Sequence, residues 1–364
     1  MKPRQDNVVD TLRERLTVGY YDRRVFPSER ALAKEFSVSY MTARNAVLRL
    51  LEDGLLVREG RSTIPNPARQ RSARREFLFV VPNWNNPAYW LWYPAIEKAA
   101  ARVGGTSRFI VYDNWTDPVI YNIFQEPADG IFIYLYPDVP EAILRLMEKR
   151  RGQVVIIGED HTDLGIAMLD LMPPNGVDLL VQHLEELGHA HIDCFNSEPH
   201  SNGELRRVQY WQEALVSHGL TGNLIDHPAT PGVDALVVAY DAAMQRLRNG
   251  PGFSSAVFCT STRVAMGLSR ACYDLNHTVG SRISICTMGT YDNCRYLTPS
   301  LTCLVTPNLE IFADRAVKYI MEPAPFAGSS IRFQPQNAEI YFGESTGPVV
   351  RRTEQRAARK SPKK

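Results

Sequence analysis

Apolar positions along the first sixty residues recur with helical spacing. Val8, Val9, Leu12 and Leu16 fall on one stripe, which predicts an amphipathic helix from about Asp6 to Val18. A second helix starts at Ser28, whose hydroxyl is placed to cap free amides, and turns Leu32, Ala33 and Phe36 inward before ending by Ser37. Ser39 caps a third, on which Ala43, Ala46, Val47, Leu50 and Leu51 form one face and Gly54 takes the left-handed position that ends it. Burying that face turns Tyr40, Thr42, Arg44, Asn45 and Arg49 outward. Leu55-Leu56-Val57 then reads as a strand, Glu59-Gly60-Arg61 as a turn, and Ser62-Thr63-Ile64 as the returning strand.

The stretch PNPARQRSARR that follows has two prolines, four arginines and no large apolar residue, so it reads as a linker. Beyond it the pattern becomes strand and helix in alternation. FLFVVP, RFIVYD, GIFIYLY, QVVIIGED and IAMLD look like buried strands of a parallel sheet, separated by helical stretches such as YPAIEKAAARVG and PEAILRLMEKR. A second set follows, with strands at HIDCFN, SAVFCT and RISICTM and helices over 176–187, 207–217 and VAMGLSRACYDL. Two such sheets predict an α/β body of two lobes, with ligands collecting in the cleft at the carboxyl ends of the strands.

Composition sharpens this picture in three ways. The apolar runs are far too short to span a bilayer, and no secretory leader pattern opens the chain, so a cytoplasmic location and no membrane partner are expected. Charge is uneven: residues 1–75 carry 16 basic against 9 acidic side chains, residues 351–364 carry 7 against 1, and the middle carries 18 against 30. Basic ends around an acidic body suggest an anionic partner for the ends alone, although the last stretch also reads as a solvated, disordered tail. The six cysteines form no CxxC pair and sit in apolar or strand-like runs, as reduced core thiols do.

Three helices and a hairpin make a winged helix-turn-helix, and an outward-facing helix start offers amides, a positive dipole end and side chains to an anionic groove. The residues Pro27-Ser28-Glu29-Arg30, Leu32-Ala33, Val38-Ser39, Thr42 to Arg44, Leu50 and Gly54-Leu55 closely resemble the GntR family of bacterial repressors. The resemblance implies that Arg30 and Arg44 approach bases, that Ser28, Ser39 and Thr42 help fix phosphates, and that Gly60-Arg61 reaches the minor groove of double-stranded DNA. Tyr40 and Asn45 complete the exposed set, and Tyr40 stands where the family usually has Arg. A phenol lacks the two-pronged guanine contact of a guanidinium, so the operator is expected to differ there.

The remainder resembles the sensor domain of the LacI/GalR repressors, built like a periplasmic sugar-binding protein. The carrying residues are Ala128-Asp129-Gly130-Ile131, Leu187-Gly188-His189, Arg207 with Trp211 and Ala214-Leu215, Ala265-Met266-Gly267, Tyr291-Asp292-Asn293, Leu301-Thr302 and Glu344-Ser345-Thr346. A GntR-type reader joined to a LacI-type sensor is the layout of bacterial arabinose repressors. The expected domains are a winged helix over 1–66, a basic linker over 67–76, a two-lobed periplasmic-binding-protein-like domain with parallel sheets over 77–346, and a basic tail over 347–364.

In the family pattern Arg207 binds effector hydroxyls or polar edges, while Ser261-Thr262-Arg263 replaces the usual Asn-Asp that offers a carboxylate to sugars. Arg263, if it points inward, favours an acidic or phosphorylated ligand. The aromatic loop with Trp84 and Asn85 suits stacking on a sugar, or alternatively a lobe or dimer contact. Asp160 and Asp170 end strands on the cleft side, and Asp292 matches a ligand-facing or lobe-bracing position. His189 and His191 read as a helix-to-strand turn without a metal shell, and no cofactor-binding or catalytic motif occurs. The expectation is a homodimeric transcription repressor governed by a sugar or sugar derivative, with a DNA-binding scaffold or an α/β enzyme as rivals.

Overall fold

The computed structural model describes residues 4–17, 20–21, 25–60, 62–67, 75–84, 86–323 and 331–349, with backbone alone at 4–7, 17 and 290–292. The chain divides into two compact units, Met1–Phe77 with Ala100–Ser107, and Leu78–Ala99 with Arg108–Lys364.

In the first unit, helices α1 (Arg4–Thr17), α2 (Glu29–Glu35) and α3 (Tyr40–Glu52) enclose Leu12, Leu32, Ala43, Ala46, Leu50 and Leu56. Both predicted caps form: Ser28 Oγ accepts from the Ala31 amide at 3.3 Å and Ser39 Oγ from the Thr42 amide at 3.1 Å. α3 stops because Gly54 turns left-handed at φ +68°, letting the Leu55 amide reach back to the Leu50 carbonyl at 2.9 Å. Arg13 pairs with Asp53 at 2.7 Å and ties α1 to that terminus. Strands β1 (Leu56–Glu59) and β2 (Ser62–Pro65) form the antiparallel wing, with Glu59 opposite Ser62 and Gly60 at φ +58° in the turn.

The predicted linker needs correction at its end. Residues 68–74 lie outside the described residues, but Arg75 and Glu76 open strand β3 (Arg75–Pro82), with Arg75 Nη1 donating to the Val103 carbonyl at 2.8 Å. That bond ties down a residue whose charge alone suggested solvent.

Two further sheets have six strands each. In the first, β3 is joined by β4 (Gly105–Tyr112), β5 (Gly130–Tyr134), β6 (Val154–Ile157), β7 (Ala167–Leu169) and β13 (Arg332–Phe333), in the order β13-β7-β6-β5-β3-β4. Helices α4 (Ala88–Arg102), α5 (Pro118–Ile123) and α6 (Glu141–Lys149) connect its strands. The second sheet contains β8 (Ile192–Asn196), β9 (Leu224–Asp226), β10 (Ala256–Cys259), β11 (Ser284–Thr290), β12 (Thr302–Leu304) and β14 (Ile340–Tyr341), in the order β14-β12-β11-β10-β8-β9. Its helices are α7 (Gly176–Glu186), α8 (Asn202–His218), α9 (Ala235–Asn249), α10 (Thr262–Asp274) and the short α11 (Tyr291–Cys294); α12 (Leu309–Met321) packs on β7 and β13 of the first sheet. The described pairings are parallel except β12 with β14.

Strands β5, β6 and β7 are buried along nearly their whole length, as apolar runs of three to five residues in a covered parallel sheet should be. β4 departs from its prediction as a buried strand: it closes the sheet edge, and most of it is half-exposed. The backbone passes between the sheets three times, from β7 to α7, from β12 to α12 and from β13 to β14. All six cysteines are buried, and none forms a disulfide. His189 is buried as a structural bridge, with Nδ1 2.8 Å from Ser255 Oγ and Nε2 3.1 Å from both Ser284 Oγ and the Gly347 carbonyl. Among the described residues no group of three metal-ligating side chains converges, and no helix is long and apolar enough to cross a membrane.

Helix α9 buries an alanine stripe, Ala235, Ala239 and Ala243, against α10. At Gly267 of α10 an added Cβ would meet the Ala239 Cβ at 2.7 Å and the Leu236 carbonyl oxygen at 2.7 Å. Gly267→Ala is therefore expected to destabilise by about 1–3 kcal/mol, opposite in sign to the usual mid-helix exchange, because overpacking outweighs the propensity gain of about 1 kcal/mol. Urea unfolding of the two proteins checks the sign.

Candidate functional site

The start of α3 presents Tyr40, Met41, Arg44 and Asn45 to solvent on one face, and Arg30 of α2 is also exposed. Tyr40 Oη donates to Glu29 Oε2 at 2.6 Å, so the phenol at the start of α3 is already held by a carboxylate on the neighbouring helix. Ser39 Oγ lies 2.8 Å from Thr42 Oγ1 as well as capping the helix, and Thr42 is half-buried. Gly60 is exposed at the tip of the wing, while Arg61 lies outside the described residues.

The second unit contains a cavity of about 270 Å³ at the carboxyl ends of both sheets. Trp84, Trp92, Tyr134, Glu159 and Asp170 line it from the first sheet, following β3, β5, β6 and β7 or lying on α4. The second sheet contributes Glu198 after β8, Glu204 and Arg207 of α8, Asp234 before α9, and Ser261-Thr262-Arg263 at the start of α10.

Arg207 faces the cavity, with Nη1 donating to Glu204 Oε1 at 2.6 Å and to the Thr260 carbonyl at 2.9 Å. Its neighbour Arg206 is not a surface residue either. It donates to the Gly158 carbonyl at 3.0 Å and lies 3.6 Å from Asp170 and 3.9 Å from Asp160, reaching from the second lobe to the first. Arg263 lines the cavity, but its guanidinium is paired with Asp234, so it is not a waiting anion site. Thr262 Oγ1 lies 3.7 Å from Cys294 Sγ, close against the backbone of Gly289. Trp84 sits at the rim with its ring 5.2 Å from that of Tyr136.

Asp160 is drawn away from the cavity lining. Its carboxylate accepts from the Thr162 amide and hydroxyl at 3.0 and 2.7 Å and from Arg332 Nε at 2.8 Å, which makes it a brace to β13. Burial alone would raise this carboxyl, but those hydrogen bonds outweigh it and hold it below the ordinary range. Asn85 and the Asp292 side chain lie outside the described residues, while the adjacent Asn293 lines the cavity.

The sequence reading missed the acidic character of the site: Glu159, Glu198, Glu204 and Asp234 were not singled out. Glu204 had a local signal in Ser201-Asn-Gly-Glu204, the pattern of a helix-capping box. Ser201 Oγ does accept from the Glu204 amide at 3.3 Å, yet the carboxylate turns to Arg207 instead of back to the cap. Burial pushes the Glu204 carboxyl up to about 7 despite that guanidinium. Burial also raises Asp170, against the pull of Arg206.

Residues 4–64 match the family of bacterial regulatory proteins, gntR family, and residues 181–346 match the periplasmic binding protein-like domain. The HTH-type transcriptional repressor PurR of Klebsiella pneumoniae (strain 342) is 24% identical over 221 residues, which are 58% of this chain and 63% of that relative. The chain thus spans less than two thirds of that relative. A LacI family transcriptional regulator from Enterococcus faecium with bound ribose superposes with a TM-score of 0.62 at 18% identity, over 76% of this chain and all of that one. The lac repressor dimer bound to operator and the anti-inducer ONPF gives a TM-score of 0.62 at 16% identity, over 78% and 99% of the two chains.

Glu204 generates a pH prediction. Its folded-state pKa is raised from 4.5 to about 7, so the folded chain binds more protons than the unfolded one between those values. The contribution of this group to stability is full below pH 4.5 and is lost as pH rises to about 7. The stability difference between wild type and Glu204→Gln, measured by urea unfolding across that window, is expected to move in favour of the variant as pH rises. A constant difference would refute the raised pKa.

Proposed function

We propose that this transcriptional regulator, a gntR-family DNA reader joined to a periplasmic-binding-protein-like sensor, binds operator DNA as a homodimer and releases or tightens it when a small polar molecule occupies the cavity of its second unit. The observation that carries the reading is that cavity, placed at the carboxyl ends of two parallel sheets linked by three backbone passages. Such an arrangement lets lobe closure depend on what lies between the lobes. The dimer is supported by the likeness to a repressor dimer on its operator, and by the two-fold half-sites that helix-turn-helix readers use. Effector and DNA are then linked by a coupling free energy, typically about 1–3 kcal/mol.

On the DNA side, Arg44 and Arg30 serve as base readers, Asn45 and Tyr40 border them, Ser28, Ser39 and Thr42 hold the helix starts near phosphates, and Gly60-Arg61 forms the wing contact. On the ligand side, Arg207, Trp84 and Thr262 stand with the carboxylates as the recognition set. The absence of the family carboxylate at Ser261-Thr262 would favour a ligandless scaffold, but Glu159, Glu198 and Glu204 supply carboxylates to the same cavity from other elements. That supply favours a working sensor. Its action is binding rather than turnover.

Selection of bound duplexes from a random pool should yield a two-fold sequence, and binding to it should change when a ligand stabilises the protein. Arg44→Ala is expected to cost about 1–3 kcal/mol on the selected site and to relax one base position in each half-site. Equal losses on selected and random DNA would assign Arg44 to the phosphates and overturn its reading role.

A further inference from the structure

We propose that the ligand of this cavity is a cation, an amine-bearing molecule of about monosaccharide size held by Glu159 and Glu198 and by the aromatic faces of Trp84, Trp92 and Tyr134. The inference rests on the sensor reading above and adds the sign of the ligand's charge.

Among the described residues, the charged side chains in and beside the cavity leave two carboxylates without a guanidinium partner. Arg263 pairs with Asp234, Arg207 with Glu204, and Asp170 faces Arg206 at 3.6 Å. Glu159 and Glu198 are left over. Glu198 Oε1 accepts from the Ser261 hydroxyl at 2.6 Å and has no cation in ion-pair range among the described residues. Glu159 is only 7% exposed and accepts no hydrogen bond from any described residue. Among the described residues its one ion-pair neighbour is His161 Nε2 at 3.6 Å, past hydrogen-bonding distance, and that nitrogen is itself buried without a hydrogen-bond partner there. Glu204 adds an unmet polar atom, since its Oε2 is buried and unpartnered while Oε1 takes Arg207.

An anion finds the opposite of what it needs. Both lining guanidiniums are engaged, and the starts of α8, α9 and α10 already give amides to their own caps, Ser201 at 3.3 Å, Asp234 at 2.9 Å and Ser261 at 3.2 Å. A neutral sugar could donate hydroxyls to the carboxylates but would leave their charge uncompensated in a desolvated site. An ammonium supplies up to three donors and the charge together, and aromatic faces attract it further.

The test compares matched probes at millimolar concentration and fixed ionic strength: glucose, glucosamine and glucuronate, then ribose, spermidine and arginine. The readout is the melting temperature of the full chain and of Glu159→Gln and Glu159→Asp, with the variants' operator binding as the check on folding. At least one amine should stabilise the wild type while its neutral and acidic counterparts do not. Glu159→Gln should weaken that amine about tenfold or more, and Glu159→Asp, which keeps the charge, should weaken it less. Stabilisation by glucose, ribose or glucuronate equal to or above that by the amines would overturn the cation while sustaining the sensor. Silence from every probe would overturn both.

Discussion

Three backbone passages between two parallel sheets constrain everything that the second unit can do. They bring the carboxyl ends of both sheets to one cavity, and they leave the lobes separable only about those passages. Arg206 then spans the gap by donating to the Gly158 carbonyl, and α8 comes so close that a Cβ at residue 203 would lie 2.8 Å from that same oxygen. Glycine at 203 is thus a requirement of the approach, and a guanidinium taken partly out of water is its fastening. Removing charges from water offsets much of what their pairing contributes. A fastening of this kind holds the lobes without committing them strongly to one arrangement.

The first unit was legible because α2 and α3 announce both face and ends, each with a cap serine and an apolar stripe and, for α3, a left-handed glycine, while α1 shows its apolar stripe alone. The central strands were legible for a related reason, since a strand covered on both faces has few positions left for polar residues. α9 escaped because its buried residues are alanines while Val237 is half-exposed, so the strongest apolar signal lies on the wrong side. Only the close approach to Gly267 explains why small side chains belong inside there. β9, β12, β13 and β14 are two or three residues long, too short for any alternation to register. α12 is a different case: Asn308 caps an amphipathic run, with its side chain accepting from the Glu310 amide at 3.1 Å, and the signal was present though unused.

The site was less legible than the fold, and the reason is geometric. Arg263 looked like a free cation because its partner Asp234 begins the helix that the pattern hid. Arg206 and Arg207 could not be told apart by position in sequence, yet one fastens the lobes and the other lines the cavity. Asp160 ends its strand on the predicted side but is captured by Arg332, a residue 172 positions away. Charges acquire meaning from partners brought in by topology, which local pattern does not contain.

The distribution of carboxylates suggests how occupation can matter to the rest of the chain. Glu159 projects from the first lobe, Glu198 and Glu204 from the second, and all three line one cavity whose two guanidiniums are engaged with acids of the second lobe. Like charges on facing walls oppose closure. A ligand that neutralises both walls reverses the sign of that interaction, so its effect on closure exceeds what its contacts with either lobe alone would produce. Differential affinity for two arrangements is the one quantity that lets a ligand shift an equilibrium. Acids divided between the walls supply it through charge, without requiring large contact area from a molecule of this size.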